Sequence, residues 1–182
     1  VRAVITGANG FVGRHLRSHL ELHGDEVLGI DRECDVTDLQ SISLVISSFE
    51  PDAIYHLAAL THVGDSWEHP EEFNRVNVEG TRNILTSAAL LENPAKVLFV
   101  STADVYGVVS ESDLPLDEGR VASPANPYSE SKLAAEMLCR AVASSQEVVV
   151  ARPFNHIGPG QSPQFVIPAL ISRLLNAAAA RT

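Results

Sequence analysis

Apolar residues along this chain come in short runs of two alternating kinds, one continuous and one spaced at three to four residues. Val1 to Thr6 is a continuous run that stops at a glycine turn, as a strand buried on both faces would. Phe11 to His23 repeats apolar positions at Phe11, Val12, Leu16, Leu20 and Leu22 and is followed by Gly24, which predicts a helix lying on a sheet. Glu26 to Asp31 reads as a second strand. Thr37 and Gln40 have capping-box spacing and predict a helix to about Phe49. Pro51-Asp52 then turns into a strand from Ala53 to Leu57. Pro70 opens a long helical stretch through Asn74, Val78, Thr81, Ile84, Leu85 and Ala88, which Pro94 ends. Lys96 to Ser101 reads as a strand, and the polar stretch Glu111 to Pro124 as an exposed loop. Asn126-Pro127 predicts a helix start, proline suiting the first position, with the helix running to about Ser144. A strand over Glu147 to Arg152 follows. Ser162-Pro163 predicts the cap of a last helix that fades into Ala177 to Ala180.

Strand and helix alternate throughout, which predicts an α/β fold built on a doubly wound parallel sheet. Ligands of such sheets bind beyond the carboxyl ends of the strands, so residues just after each strand are the first candidates for chemistry. The chain has 182 residues, 45% of them hydrophobic and 20% charged, the balance of a globular domain. Its net charge of −10, with no basic run, argues against nucleic acid and against anionic membrane surfaces. Cys34 and Cys139 form no CxxC pair, so neither a disulfide framework nor a zinc site is expected, and a reducing cytoplasm is the simple reading. No segment approaches the length of a membrane span.

The turn Gly7-Ala8-Asn9-Gly10-Phe11-Val12-Gly13 joins the first strand to the first helix. Backbone N–H groups and the helix dipole at such a junction favour an anion, and glycines let a pyrophosphate approach the backbone. The spacing is one residue longer than the G-x-G-x-x-G fingerprint. Asp31 ends the second strand, where a carboxylate can accept bonds from adenosine ribose hydroxyls. Turn and acid together predict a Rossmann-like dinucleotide site. Asp31 favours NAD, since a 2′-phosphate would meet a like charge. Arg32 could pair with that phosphate, so NADP stays possible, although a solvated loop residue is the plainer reading of Arg32.

Tyr128 and Lys132 stand four apart on a predicted helix and share a face. A free tyrosine, with a pKa of about 10, is a poor acid at neutral pH. A neighbouring ammonium would stabilise the phenolate and lower that value, letting the pair exchange a proton with a hydroxyl or carbonyl. Ser101-Thr102 ends the preceding strand and could bond the same oxygen. Viewed alone, these hydroxyls could equally be satisfied by backbone.

Taken together, these motifs resemble the extended short-chain dehydrogenase/reductase family, the NAD-dependent sugar-nucleotide epimerases and dehydratases. The matching pieces are Thr6-Gly7 to Gly13, Asp35-Val36, His56-Leu57-Ala58-Ala59, Asn77-Val78-Glu79-Gly80-Thr81, Ser101 to Gly107, Tyr128 to Lys132 and Arg152-Pro153-Phe154-Asn155. The resemblance implies that Tyr128 is the proton donor/acceptor, that Lys132 binds the nicotinamide ribose and tunes the tyrosine, and that Thr102 holds the reacting oxygen. It further implies that Asp35 and Val36 hold the adenine and that Leu57, Ala58 and Ala59 wall the dinucleotide. Asn77 then has a supporting role, Ser101 belongs to the cofactor site, Pro153 lies next to the nicotinamide, and Asn155 reaches the substrate diphosphate. Thr61, His62 and Ser66 follow a strand end and are candidates to line a sugar pocket.

The stretch Arg152 to Gln161, with Asp65-Ser66-Trp67, is similar to one branch, the GDP-4-dehydro-6-deoxy-mannose reductases. That branch implies reduction of a C4 ketone by reduced nicotinamide, with Thr102 polarising the ketone. Asp104 keeps a 4,6-dehydratase open, because dehydratases carry a glutamate there, and a 4-epimerase ranks third. A non-catalytic NAD-binding sensor is the alternative of another class, though a sensor has no need of Thr102, Tyr128 and Lys132 together. His56, His62 and His156 fit no metal spacing, and no metal is expected. The resemblance also implies a dinucleotide-binding domain over 1–160, and over 161–182 the start of a substrate-binding lobe, most of it absent from this chain. It implies a homodimer too, through the helices around Asn74–Leu91 and Tyr128–Ser144. On those helices Val76, Ile84, Ala88, Ala134, Ala135, Leu138 and Ala141 exceed what one sheet face needs.

Overall fold

The structure, a computed structural model, describes residues 1–179. Five strands make one sheet: β1 (Arg2–Thr6), β2 (Glu26–Ile30), β3 (Ala53–His56), β4 (Lys96–Val100) and β5 (Val148–Ala151). All pairs are parallel, in the order β2-β1-β3-β4-β5. The chain therefore runs out to one side of β1, then back across it to the other. The carboxyl ends of β1 and β3 flank the crevice where that reversal occurs.

Side chains alternate across the sheet, and the two faces meet different helices. Val4, Ile54, Val97 and Phe99 pack with Ile42 and Ile46 of α2 (Leu39–Phe49), Ile84 and Ala88 of α5 (Gly80–Ala89) and Ala135 of α6 (Pro127–Val142). On the other face Ala3 and Ile5 pack with Leu20 of α1 (Phe11–Leu22), and Leu16 and Tyr55 lie against them. Val149 of edge strand β5 is 54% exposed. The last helix, α7 (Val166–Ala179), buries no residue.

Several boundaries differ from the sequence pattern. The N-cap of α2 is Asp38, whose Oδ1 accepts from the Gln40 and Ser41 amides, so Thr37 and Gln40 form no capping box. Carboxylate and hydroxyl compete for the same free amides, and Asp38 is the residue in extended conformation at the helix entry. The Thr37 hydroxyl accepts instead from Arg75 at 2.7 Å. Ser162 closes a short turn to the Gln164 amide, and α7 begins only at Val166. Residues Val63–Glu68 form a helix, α3, that the apolar pattern does not announce, because Ser66 is its one buried side chain. The long stretch from Pro70 is three pieces: α4 (Pro70–Phe73), a π-helical turn over Asn74–Glu79, and α5. A π-turn holds an extra residue in the ladder; here it carries the buried Asn77.

Candidate active site

The glycine turn is dictated by close approach. Gly7 has φ +71°, and a Cβ there would stand 2.8 Å from the Ala58 amide nitrogen. A Cβ on Gly13 would meet the backbone of Gly7 and Ala8. The turn thus lies directly against the segment after β3, and α1 directly against the turn. The Gly10 amide donates to the Gly7 carbonyl at 3.0 Å. Asp31 reaches across from β2, its Oδ2 accepting from the Asn9 amide at 2.8 Å and its Oδ1 from the Arg32 amide at 2.9 Å. Arg32 and Val12 are exposed. Phe11 stacks on His156, ring centroids 5.9 Å apart, and Arg14 donates to the Gly160 carbonyl. The segment after β5 is thereby folded over the start of α1.

A buried hydrogen-bond chain backs this wall. The Ala58 amide donates to Thr6 Oγ1 at 3.2 Å, Thr6 Oγ1 lies 2.7 Å from His56 Nδ1, and His56 Nε2 lies 3.0 Å from Thr81 Oγ1. Thr81 donates its own proton to the Asn77 carbonyl at 2.6 Å. Its oxygen must then accept from His56, so the histidine carries its proton on Nε2 and accepts from Thr6 on Nδ1. Burial, with the Lys132 ammonium adding to it, pushes the His56 pKa down to about 3. Asn77 clips the Leu60 backbone at both its amide and its carbonyl, and donates to Ser131 Oγ. Its amide positions other parts of the crevice instead of projecting into it.

Thr102 and Tyr128 meet at the end of β4, and Lys132 lies one turn further along α6 over Phe99. Thr102 caps the short 3-10 turn Ala103–Tyr106, accepting from the Asp104 amide at 3.1 Å. Asn126 caps α6 and Pro127 opens it, which sets Tyr128 and Lys132 on its buried first turns. Lys132 is only 3% exposed, its Nζ 4.5 Å above the Phe99 ring. Burial brings its pKa down to about 8, against the opposing pull of Cys139 and Glu136. Burial raises the Tyr128 pKa, the Thr102 hydroxyl opposes that rise, and the Asp104 charge adds to it. This departs from the sequence expectation: Lys132 is not among the groups that shift Tyr128, and desolvation wins. The side chain of Asp104 is exposed beside this group.

Not every candidate points into the crevice. The Ser101 hydroxyl is buried and donates to Glu136 Oε1 at 2.6 Å, so that side chain is turned toward α6. Ser66 is also buried and bonds the Val63 carbonyl of its own helix, which removes it as a sugar contact. His62 caps α3, its Nδ1 near the Asp65 amide and carboxylate. Thr61, Asn155 and Trp67 are exposed. The Pro153 carbonyl accepts from the Ala103 amide at 3.0 Å, joining the ends of β4 and β5. Val36 is buried against Gly80, and Asp35 is exposed with Arg75 3.6 Å away. No group of three or more His, Cys, Asp or Glu gathers among the described residues, and no helix there is long and apolar enough to cross a membrane. Ile84, Ala88 and Ala135 are spent on the core, so they offer nothing to a second copy; Val76, Ala134 and Leu138 are half-buried and Ala141 exposed.

Motif reading overlooks one cluster. Glu136 is fully buried and takes a bidentate ion pair from Arg152, Nε to Oε1 at 2.9 Å and Nη2 to Oε2 at 2.6 Å. Burial works to raise its pKa, but Arg152 and Ser101 outweigh that and hold it below the usual carboxylate range. The Arg152 guanidinium also lies 4.9 Å above the Tyr106 ring. A carboxylate four residues after Lys132 on the same helix face was the available signal. A cavity of about 330 Å³ opens beside this pair, lined by Tyr106, Glu136, Arg140 and Arg152. None of Thr102, Tyr128 and Lys132 lines it, so it is not where the chemistry converges.

Residues 3–181 match the NAD dependent epimerase/dehydratase family. GDP-6-deoxy-D-mannose reductase of Pseudomonas aeruginosa is 39% identical over 170 residues, covering 91% of this chain and 56% of that relative. GDP-6-deoxy-D-talose 4-dehydrogenase of Aggregatibacter actinomycetemcomitans is 38% identical over 97% of this chain and 60% of its own length. Among solved structures, RMD from Pseudomonas aeruginosa complexed with NADPH superposes with a TM-score of 0.90 at 34% identity, covering all of this chain and 64% of that one. The chain thus spans roughly three-fifths of the proteins it matches. By sequence match and by fold, the chain belongs to the NAD dependent epimerase/dehydratase family.

Proposed function

We propose that this chain is the cofactor-binding and acid–base part of an NAD(P)-dependent oxidoreductase acting at C4 of a nucleotide-diphosphate sugar, and that it reduces a GDP-linked 4-keto-6-deoxy sugar. The observation that carries this is the meeting of Thr102 and Tyr128 beyond the end of β4, with Lys132 one turn along α6, on the carboxyl edge of the sheet that also carries the glycine turn. The likeness to two enzymes named for GDP-6-deoxy sugars supports the choice of substrate.

The Gly7–Gly13 amides would hold the pyrophosphate, and Asp31 the adenosine ribose. Reduced nicotinamide, when bound, supplies the hydride to C4. Thr102 donates to the ketone oxygen, and Tyr128 gives that oxygen its proton as the charge develops. A phenol held above its ordinary pKa is protonated at neutral pH, as a donor must be. Lys132, one turn further along α6, would hold the nicotinamide ribose. Asp31 favours NAD over NADP, with Arg32 beside it as the counter-argument. Residues 161–182 begin a substrate lobe, the assembly is a homodimer through α5 and α6, and the compartment is the cytoplasm.

Asp104 supports a second reading. Its carboxylate is exposed at the strand-end turn and acts on Tyr128, so it could serve a dehydratase in removing water. One experiment separates these readings. Nucleotide-linked 4-keto sugars are offered with NADH or NADPH and 4-hydroxy sugars with NAD+ or NADP+, and products are weighed by mass spectrometry. A gain of two hydrogens supports the reductase, and a loss of water overturns it in favour of the dehydratase. Equal turnover by Tyr128→Phe refutes the assigned mechanism. Cofactor binding without turnover of any sugar would leave the sensor. Residues 1–182 alone are expected to bind cofactor and to hold substrate poorly.

A further inference from the structure

We infer that Glu136 is a positioning residue for the proposed reaction: its buried carboxylate ties together the three elements that deliver the acid–base group, and it keeps Lys132 in place as a charged side chain.

Each of its partners adjoins a residue of the site. Glu136 itself is one helical turn beyond Lys132 on α6. Ser101, which donates to its Oε1 at 2.6 Å, immediately precedes Thr102 at the end of β4. Arg152, which grips both carboxylate oxygens, immediately precedes Pro153 at the end of β5. The Pro153 carbonyl in turn receives the Ala103 amide. One side chain thus fixes the spacing of the Tyr128–Lys132 helix from the two strand ends beside it.

The same carboxylate also acts on Lys132 through space, favouring its charged form. Lys132 is buried over the Phe99 ring near His56 from β3 and Cys139 and Glu136 along α6. His56 is held neutral, and burial pushes the Cys139 thiol up to about 12, so neither bears charge at neutral pH. Glu136 is the anion among them. Without it, desolvation acts on the Lys132 ammonium with less to oppose it. Cost explains why such a device is confined to a site: a largely buried ion pair adds little stability over an apolar pair of the same volume, so its presence needs another reason.

The inference rests on the reading of Lys132 as a cofactor-ribose contact, and the test separates the two. Cofactor affinity and the Lys132 titration are measured on the full-length protein, the second from the 13Cε shift of labelled lysine assigned by comparison with Lys132→Met. In Glu136→Gln, Lys132 is expected to titrate below its wild-type value, and the NADH or NADPH dissociation constant to rise about tenfold, the loss of one charge-assisted hydrogen bond. Because Glu136→Gln leaves Arg152 buried without its anion, the double variant Glu136→Gln, Arg152→Met removes both charges. It is expected to fold with a near-wild-type melting temperature and still bind weakly, with Lys132 still titrating low. A folded double variant with wild-type affinity and wild-type Lys132 titration overturns the inference, leaving the pair as packing alone. If Lys132→Met binds cofactor as tightly as wild type, the underlying reading of Lys132 fails instead.

Discussion

Acidification should reveal the buried His56 as a stability switch of calculable size. His56 accepts a proton from Thr6 and gives one to Thr81, so a second ring proton would break the bond to Thr6 as well as placing a charge in the core. Its folded pKa is about 3, against an ordinary value of 6.5 in the unfolded chain. Below that ordinary value the unfolded chain binds one more proton than the folded one, so stability falls as pH falls. The stability is fully present above pH 6.5, is lost progressively below it, and the loss is complete only near pH 3. Each pH unit inside that window costs about 1.4 kcal/mol. Partial titration at the upper end makes the loss between pH 7 and pH 5 about 2 kcal/mol, a window chosen to lie above most carboxylates. Urea unfolding of wild type and of His56→Gln, whose amide can bond both threonines without titrating, provides the measurement. The difference between their pH slopes isolates His56, since carboxylates contribute alike to both. Equal slopes between pH 7 and 5 would refute the reasoning, as would an NMR titration that shows His56 protonated at pH 6.

Gly13→Ala should weaken the turn, because the new methyl meets backbone atoms of Gly7 and Ala8 that cannot step aside; a cost of about 1–3 kcal/mol is expected by thermal unfolding, with weaker dinucleotide binding. Asp31→Ala should lower the preference for NADH over NADPH, read as the ratio of dissociation constants; an unchanged ratio removes Asp31 from cofactor choice. Asp38→Ala should lower the melting temperature by more than Thr37→Ala does, since Asp38 caps α2 and Thr37 only receives Arg75.

The sheet and its order of elements were legible because parallel strands buried on both faces are unbroken apolar runs, as in Val4-Ile5 and Val97 to Val100. The placement of Gly7 and Gly13 in a strand-to-helix turn, and of Tyr128 and Lys132 on one helix, was legible because it follows from spacing. Polar residues whose partners come from distant strands were not. Nothing local in Thr6, Thr81 or Glu136 distinguishes a buried, satisfied group from a solvated one until the sheet brings its partner alongside. The Ser66 and Ser101 readings failed the same way: position after a strand was correct, but the direction of the side chain is set by the neighbour it bonds. The effect of Lys132 on Tyr128 was overestimated because sequence shows charge and hides desolvation.

The tie made by Glu136 also sets an order for synthesis. A chain leaving the ribosome can pair β1 with β2 once residue 30 is out, and can add β3 and β4 as each emerges. The Tyr128–Lys132 helix follows, but the cation that neutralises its buried carboxylate arrives 16 residues after Glu136. Until Arg152 clears the exit tunnel, α6 carries an anion it cannot bury. The glycine turn and Asp31 can thus be set early in translation, while the acid–base helix cannot settle on the sheet until β5 and Arg152 arrive.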